Sequence, residues 1–397
     1  GMARSFPARD ELFPSRVATV VQNNSTILYG DHLLFKMYRK LEEGINPEAE
    51  ILQFLAVKNR FPNVPAYGGK IEYRSGGKIY DIGVLQTFIA CHGDAWGNAL
   101  TNLEQFVEYL LTHRHELPKL PARQPTLLDV VDTGIPIKFG DLVHGLHLEM
   151  ALLLGQRTAE MHRALAESSR ESAWNMAEFS TLYQRSIFQS MRGLVRINYQ
   201  GLAKILPGLP DPIKDRAVLI LNAEKELIGC LKQITGKRFS AMKCRIHGDL
   251  HLGQALFTGK DFVFIDFEGE PAHSLGERRL KRSPLRDVAS MIHSIHYAAV
   301  TTLVHHGASH PEEAAFLEPW LEAWYVYVGG SFLKGYLQAM KNSSLVPQDK
   351  KELEIMLRCF LIYRVVHELG HELNNRPELI DLQLRGIEMM LKDWRCS

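Results

Sequence analysis

The chain of 397 residues is 46% hydrophobic and carries a formal net charge of +1 at pH 7. A chain of this length can bury a sizeable hydrophobic core, and we expect it to form two lobes. The near-neutral charge argues against nucleic-acid binding through a basic surface. Because no run of about 18 apolar residues occurs, we expect no membrane-spanning helix and no membrane partner. No signal peptide is recognisable after Met2, so the sequence predicts a cytoplasmic location.

The first 90 residues favour a small antiparallel sheet. Strands are predicted at 17–21, 26–29 and 33–37, followed by a hairpin of strands 69–74 and 78–89 around Ser75-Gly76-Gly77. The turn at 22–26 is a candidate phosphate-covering loop, in which Asn24 and Ser25 would assist backbone N–H groups. It lacks a Gly-x-Gly-x-x-Gly pattern, and an ordinary hairpin turn is the alternative.

One helix is predicted within this sheet region, because Asn46-Pro47 combines a helix N-cap with a proline at the first helical position. Its first turn carries Glu48 and Glu50. Either could form an ion pair with Lys36, which lies in the apolar strand 33–37, and we prefer Glu50 because it lies nearer the apolar stripe of the helix. Acidic residues in a first turn also occur simply to interact with the helix macrodipole.

The remainder of the chain is predicted to be mostly helical. Residues 118–136 contain several prolines and are expected to form a loop with short strand pieces. Helices are expected at 96–115, 146–168, 178–200, 211–236, 284–306, 312–341, 348–373 and 378–393. A strand-rich start followed by a long helical part predicts an α+β fold.

A motif with the residue types for phosphoryl transfer lies within 244–271. Asp249 follows a His-Gly turn, Gln254 comes five residues later, and the hydrophobic run 262–265 leads to Asp266. Phosphoryl transfer needs one carboxylate to orient and deprotonate the attacking hydroxyl, and an amide and a carboxylate to hold magnesium on the triphosphate. Protein kinases carry H-R-D-x-x-x-x-N and D-F-G, where this chain has H-G-D-x-x-x-x-Q and D-F-E. Two acids in an ordinary strand-turn-strand hairpin are the alternative.

The H-G-D-x-x-x-x-Q and D-F-E motifs resemble those of the aminoglycoside-phosphotransferase branch of the protein-kinase-like superfamily. The segments Gly276–Ala289 and Glu372–Pro377 also resemble this branch. Within that branch the sequence is most similar to bacterial maltokinases, from about residue 16 to 390. The resemblance implies a two-lobe α+β fold, with an N-lobe at 1–90 and a helical C-lobe at 91–397. The C-lobe would hold the catalytic loop 247–254, the segment 266–268 and an acceptor-site helix at 360–376. The N-terminal cap domain of the family is expected to be short or absent.

The resemblance also implies roles for the residues of the nucleotide site. Asp249 would be the catalytic base, and Gln254 and Asp266 would bind Mg²⁺. Lys36, held by Glu50, would contact the phosphates of ATP.

Three further residues of this site are predicted by position. The hinge that meets the adenine would include Gln86 and Phe88. Glu268 stands where kinases have glycine and is a further candidate for the metal site. The basic run 278–282 is expected to face solvent, with contact to phosphate as the alternative.

Residues 367–371 read His-Glu-Leu-Gly-His, the H-E-x-x-H signature of zinc peptidases. The expected third ligand is missing, because Asn374 and Pro377 stand where the extended motif needs Gly and His. The competing interpretation is a helix that lines a sugar pocket, with histidines where the resembled family has tyrosines. A buried polar helix without a binding role is the third possibility. The candidate substrate residues are His251, Tyr363, Arg364, His367, Glu368, His371 and Arg376.

The sequence as a whole predicts an ATP- and Mg²⁺-dependent kinase of a sugar hydroxyl. By resemblance the acceptor is maltose, the product is maltose 1-phosphate, and a functional link to trehalose synthase is expected. The alternatives are a kinase of an amino sugar or a choline-like alcohol, a non-catalytic kinase-like module and, remotely, a zinc hydrolase.

Overall fold

The computed structural model describes residues 13–18, 24–143, 145–167 and 171–393. These residues form two compact units, each built from three segments. The first unit contains the described parts of 1–97, 157–176 and 244–282, and the second those of 98–156, 177–243 and 283–397. The sequence-based division at residue 90 placed the segment 247–254 with the helices, whereas in the structure this segment belongs to the unit that contains the sheet.

Nine strands occur in the described residues. They are β1 (Ser15–Val17), β2 (Ser25–Tyr29), β3 (Leu33–Met37), β4 (Tyr67–Ser75), β5 (Lys78–Thr87), β6 (Ala177–Glu178), β7 (Met242–Lys243), β8 (Ala255–Phe257) and β9 (Phe262–Phe264). The first unit contains a five-stranded antiparallel sheet in the order β1-β2-β3-β5-β4 and the two-stranded hairpin β8-β9. Lys36 lies on the central strand β3, opposite Thr26 on one side and Val84 on the other. The strands predicted at 26–29, 33–37, 69–74 and 78–89 are confirmed with small differences in their ends. The first strand ends at Val17, where the predicted strand 17–21 was expected to begin, and residues 19–23 lie outside the described residues.

The helices of the described residues are α1 (Pro47–Gln53), α2 (Ala95–Thr112), α3 (Leu127–Thr133), α4 (Ile137–Leu142), α5 (Gly145–Leu165), α6 (Thr181–Ile205), α7 (Asp211–Asn222), α8 (Glu224–Lys232), α9 (Leu275–Arg278), α10 (Leu285–Ser309), α11 (Pro311–Ala339), α12 (Lys350–Asn375) and α13 (Ile380–Asp393). Within these described ranges no helix has both the length and the apolar composition that a membrane span requires.

The start of α1 follows the predicted capping chemistry. The side-chain oxygen of Asn46 accepts a hydrogen bond of 2.9 Å from the backbone N–H of Glu48, and Pro47 is the first helical residue. The helix continues as a π-helical turn at Phe54–Lys58. Phe54 stacks on Trp174 with ring centroids 3.7 Å apart, which fixes α1 against the segment 157–176 of the same unit.

One predicted loop is wrong. Residues 127–133 form α3, which begins at a capping box in which the Thr126 and Asp129 side chains each accept from the other residue's backbone N–H. Prolines upstream suggested a loop, but a proline does not prevent a helix from starting a few residues later.

The second unit is built mainly from long helices, and α10, α11 and α12 supply much of its buried surface. Helix α5 approaches α11 very closely at two glycines. A Cβ atom added to Gly155 would lie 2.0 Å from the carbonyl oxygen of Phe332, and one added to Gly335 would lie 2.0 Å from that of Leu152.

Candidate functional site

The centre of the candidate site is the ammonium group of Lys36, whose residue is 8% exposed. Its Nζ lies 3.1 Å from Glu48 Oε2, 2.5 Å from Asp266 Oδ1 and 2.6 Å from Glu268 Oε1. Strand β3 supplies the lysine, α1 supplies Glu48, and the segment after β9 supplies the other two carboxylates. The structure therefore brings together Lys36, Asp266 and Glu268, which the sequence assigned to one nucleotide–metal site.

The predicted Lys36–Glu50 ion pair is wrong, because Glu48 takes this place. Glu50 instead accepts hydrogen bonds from Arg245 Nη2 at 2.9 Å and from Arg279 Nε and Nη2 at 2.9 and 2.7 Å. Residues two apart on a helix point in different directions, so only one of the two glutamates can face β3. Sequence position alone did not decide which one.

Two arginines of the basic run 278–282 are bonded to other side chains, so the expectation that this run faces solvent is wrong for them. The Arg278 side chain is buried and donates to Glu42 Oε2 at 2.6 Å and to the Glu268 carbonyl oxygen at 3.3 Å. Arg279 forms the two bonds to Glu50. These arginines anchor the segment that follows Asp266, a role that a run of basic residues does not reveal by itself.

The charges of the Lys36 cluster are set by burial and by the mutual contacts. Burial opposes the charged form of Lys36, but the carboxylates of Glu48, Asp266 and Glu268 outweigh it and raise the pKa of the lysine. Partial burial also opposes ionisation of Asp266, and Lys36 outweighs it and lowers the pKa of this carboxyl. Burial raises the pKa of Glu48 to about 8, against the effect of Lys36. Even with Glu48 neutral, Asp266 and Glu268 carry more charge than one lysine neutralises.

Asp249 is tied to this cluster through His247. The Nε2 of His247 donates to the carbonyl oxygen of Ile265 at 2.9 Å, and its Nδ1 accepts from the backbone N–H of Asp249 at 3.4 Å. A carbonyl can only accept, so the proton of the neutral ring is on Nε2. The buried imidazole thus joins the turn of Asp249 to the residue before Asp266. Asp266 itself has a φ of 65°, a left-handed conformation that is uncommon for a residue other than glycine.

Gln254 lies beside Asp266, and its role as a metal ligand stays a prediction. Its side-chain amide is 3.4 Å from Asp266 Oδ2 and 3.2 Å from His251 Nε2. His251 Nδ1 accepts from the backbone N–H of Gly253 at 3.2 Å and caps the short 3-10 turn that carries Gln254. Carboxylate and amide oxygens are the ligands that Mg²⁺ prefers. Gln254, Asp266 and Glu268, with their surplus negative charge, fit such an ion.

The candidate phosphate loop is described only in part, because residues 22 and 23 lie outside the described residues. Asn24 donates a hydrogen bond from its side-chain amide to Glu268 Oε1, and its Oδ1 accepts from the backbone N–H of Arg39 at 3.3 Å. The hydroxyl oxygen of Ser25 accepts from Arg39 Nε at 3.1 Å. The loop end is therefore bonded to the segment after Asp266, and its contact with phosphates stays a prediction.

The proposed hinge residues lie at the end of β5. Gln86 is buried in the sheet, opposite Leu34 of β3. The backbone N–H of Phe88 donates to the carbonyl oxygen of His32 at 2.7 Å. That N–H is thus used within the protein, and contact of Gln86 or Phe88 with an adenine stays a prediction.

The structure separates the predicted acceptor residues. Tyr363, Arg364, His367, Glu368 and His371 lie on α12 in the second unit and Arg376 follows its last residue, whereas His251 belongs to the first unit. Glu368 is 2.9 Å from Arg364 Nη2 and 3.5 Å from His367 Nδ1, and the guanidinium of Arg286 lies over the ring of Tyr363 at 4.8 Å. Burial opposes ionisation of Glu368, but His367 and Arg364 outweigh it and lower its pKa to about 2. This carboxylate is therefore negatively charged at neutral pH.

Further along α12, Glu372 accepts from Arg376 Nη2 at 2.9 Å. Its other oxygen, Oε2, is buried and has no hydrogen-bond partner among the described residues. Burial raises the pKa of this carboxyl. His371 is exposed and bonded through its carbonyl oxygen to Asn375.

The zinc-peptidase interpretation of 367–371 gains no support from the side chains. In the described part of the chain, the groups of three possible metal ligands are His306, His310 and Glu313, and Glu48, Asp266 and Glu268. Neither includes His367 or His371, so the third ligand that a zinc site needs is missing there too. Glu368 is held by Arg364 instead.

Comparison with known proteins identifies relatives in sequence and in structure. No protein-family profile matches the chain. It is 25% identical over 287 residues to a glucosamine kinase of Mycolicibacterium smegmatis, and the matched region covers 72% of this chain and 59% of that protein. It is 20% identical over 321 residues to a glucosamine kinase of Streptacidiphilus jiangxiensis, which covers 80% of this chain and 60% of that protein. The chain thus spans about three fifths of the length of these curated relatives.

Among solved structures, a glucosamine kinase in complex with glucosamine, ADP and inorganic phosphate superposes with a TM-score of 0.66 at 18% identity. The match covers 96% of this chain and 76% of that chain. The chain therefore has the kinase-like α+β fold that the sequence predicts. These relatives are glucosamine kinases, so the narrower resemblance to maltokinases stays a prediction.

Proposed function

We propose that this chain is an ATP- and Mg²⁺-dependent phosphotransferase that acts on a hydroxyl group of a sugar. The observation that carries the proposal is the buried Lys36 ammonium, held by Glu48, Asp266 and Glu268 in the same unit as the Asp249 turn. Phosphoryl transfer needs a lysine on the phosphates, a carboxyl group that orients this lysine, a carboxylate that binds the metal ion and a carboxylate that acts as the catalytic base.

In this proposal each residue has a separate task. Asp249 orients the sugar hydroxyl and takes its proton as the hydroxyl oxygen attacks the γ-phosphorus and the bond to the ADP oxygen breaks. Lys36 contacts the phosphates and holds them in line. Gln254, Asp266 and Glu268 would bind Mg²⁺, which when bound neutralises charge on the phosphates. Positioning and charge neutralisation supply most of the acceleration.

The preferred acceptor is an amino sugar such as glucosamine. Two findings support it over maltose. The relatives are glucosamine kinases, and α12 carries the negatively charged Glu368 together with a buried, unpartnered oxygen of Glu372. An ammonium group would donate a charge-assisted hydrogen bond to such an oxygen and offset the negative charge, whereas the hydroxyl groups of a neutral disaccharide donate weaker hydrogen bonds and bring no charge.

Maltose is the second candidate acceptor. It is supported by the resemblance of the segments 266–271 and 372–377 to maltokinases, and a functional link to trehalose synthase belongs to this candidate alone.

An acceptor screen separates the candidates. ADP release is followed with ATP and Mg²⁺ while glucosamine, N-acetylglucosamine, maltose or choline is supplied at equal concentration. We expect the highest kcat/KM with glucosamine and a large loss with N-acetylglucosamine, which has no ammonium group. Preference for maltose would support the second candidate, and an absence of ADP release with every acceptor would favour a non-catalytic kinase-like module.

A further inference from the structure

A second group of metal-binding side chains lies at the turn that joins α10 to α11. His306 is in the last turn of α10, His310 is the single residue that separates the two helices, and Glu313 is in the first turn of α11. One ligand atom from each residue can be chosen so that all three lie within 4.8 Å of one another. The three atoms are thus close enough that small side-chain rotations can bring them onto one metal ion.

The geometry of the three side chains is fixed by the short turn and by their contacts. His306 Nε2 is 2.7 Å from Glu313 Oε2, and the imidazole rings of His306 and His310 stack with centroids 4.9 Å apart and an interplanar angle of 24°. His310 is followed by Pro311, which starts α11 and restricts the backbone at the turn. The ligands are thus brought together before any ion binds.

An arginine in the turn after α2, in the same unit, orients the carboxylate. Arg114 Nη2 donates to Glu313 Oε1 at 2.6 Å, and its guanidinium lies 4.7 Å from the ring centroid of Phe316. The arginine bonds to one oxygen of Glu313 and directs the other towards the imidazoles. Groups that hold a ligand in this way typically raise metal affinity by tenfold to a hundredfold.

We propose that His306, His310 and Glu313 form a binding site for a first-row transition-metal ion, with Zn²⁺ as the best match. Two imidazole nitrogens and one carboxylate oxygen are a recognised zinc ligand set that leaves a fourth position for water. Imidazole ligands favour Zn²⁺ over Mg²⁺ or Ca²⁺, which prefer oxygen ligands only. The side chains of His306 and Glu313 are each 21% exposed, and His310 is exposed, so an ion can reach them from solvent.

This site shares no residue with the proposed phosphotransferase site, and the proposal does not depend on that function. It also differs from the H-E-x-x-H sequence at 367–371, for which a third ligand is missing. The two histidine pairs can therefore be told apart by experiment.

The test is a calorimetric titration of Zn²⁺ into the full chain after treatment with EDTA and removal of the chelator. We expect binding of one ion per chain that is weakened at least about tenfold by His310→Ala. His305→Ala is the matched control, since His305 is an exposed neighbour outside the cluster. His367→Ala tests the other histidine pair. Both control variants should bind Zn²⁺ as the wild type does.

His310→Ala keeps the His306–Glu313 pair, so its thermal unfolding without metal should match that of the wild type. A titration with Co²⁺ adds a spectroscopic test, because visible absorption bands of a low-coordinate Co²⁺ ion should appear in the wild type and disappear in His310→Ala. Unchanged Zn²⁺ binding in His310→Ala, loss of binding in His367→Ala, or no stoichiometric binding by the wild type would each overturn the proposal and leave an ion pair that only fixes the turn.

Discussion

At the scale of single residues, the candidate site depends on which glutamate of α1 faces Lys36. Glu48 and Glu50 are chemically identical and two residues apart, yet Glu48 contacts the lysine and Glu50 contacts Arg245 and Arg279. The difference comes from the rotation of α1 about its axis. Packing such as the stack of Phe54 on Trp174 sets this rotation, and local sequence contains no information about it.

The two glutamates predict opposite results on substitution. In Glu48→Gln the ammonium of Lys36 loses the buried carboxyl group that positions it, and we expect kcat to fall by about 100-fold because misplaced phosphates react slowly. Steady-state kinetics with saturating ATP measures this effect. The matched variant Glu50→Gln leaves Arg245, which is 2% exposed, without its counter-charge, so it should lower the unfolding temperature while kcat of the folded protein stays within about threefold. Equal losses of kcat in both variants would contradict the assignment.

Asp266 allows a separate test of the metal site. Asp266→Ala removes a carboxylate next to both Lys36 and Gln254, so Mg²⁺-dependent nucleotide binding should weaken at least about tenfold. Calorimetric titration of ADP with and without Mg²⁺ measures this. Glu42→Ala is the control, because it removes a carboxylate that pairs with Arg278 and Lys40 and does not contact Lys36. If Mg²⁺ improves ADP binding equally in wild type and Asp266→Ala, the residue does not hold the ion.

At the scale of elements, the sequence predicts most helices and strands because their signals are local. The cap at Asn46-Pro47 places the start of α1, and the Ser75-Gly76-Gly77 turn lies between the paired strands β4 and β5. The error at 118–136 has a local cause as well, since the capping box of Thr126 and Asp129 was hidden among prolines. Ion pairs such as Arg245–Glu50 join residues 195 positions apart, and no local pattern reports them.

The close approach of α5 and α11 makes a prediction about glycine. Gly155→Ala would place a methyl group 2.0 Å from the Phe332 carbonyl oxygen, where the neighbour is rigid backbone. The helices would have to separate, and we expect the free energy of unfolding to fall by about 1–3 kcal/mol. Gly193→Ala, inside α6 with no atom within 4 Å of the added carbon, should instead raise it by about 0.5–1 kcal/mol. Chemical denaturation of both variants measures the contrast, and equal signs would contradict it.

Two buried histidines of α10 predict a loss of stability in acid. Burial lowers the pKa of His293 to about 4 and that of His296 to about 3, from 6.5 in an unfolded chain. Below pH 6.5 the unfolded chain binds protons that the folded chain does not. The contribution of the two histidines to the free energy of unfolding is therefore complete above pH 6.5 and declines as the pH falls towards their pKa values in the folded chain. At pH 5 each of the two imidazoles lowers the free energy of unfolding by about 2 kcal/mol relative to its value above pH 6.5.

Denaturation curves at pH 7.5 and 5 test this effect. His296→Phe should reduce the difference between the two pH values by about 2 kcal/mol, whereas His305→Phe, at an exposed position of the same helix, should not change it. A wild-type stability that does not fall between these pH values would show that the imidazoles do not remain neutral in the fold.

At the scale of the whole molecule, the fold could be predicted because motif order along the chain matches the kinase series. The sequence did not predict that the sheet unit would draw on three separated segments, since discontinuous packing leaves no local trace. Nor did residue types decide between a neutral and a cationic sugar. His367 and His371 drew attention as possible zinc ligands, whereas the buried Glu372 oxygen on the same helix, on which the proposed amino-sugar acceptor depends, has no signal in the sequence.

The central claim is that Asp249 activates a sugar hydroxyl towards the γ-phosphoryl group of ATP. It is tested most directly by following transfer of a radiolabelled γ-phosphoryl group to glucosamine with the wild-type chain and with Asp249→Asn, while ADP affinity is measured for both. We predict that the wild type produces a labelled sugar phosphate. Transfer by Asp249→Asn should be roughly 1,000-fold slower or more, as expected for the loss of a catalytic base, while the two proteins bind ADP with equal affinity. Transfer by Asp249→Asn at the wild-type rate would contradict this account.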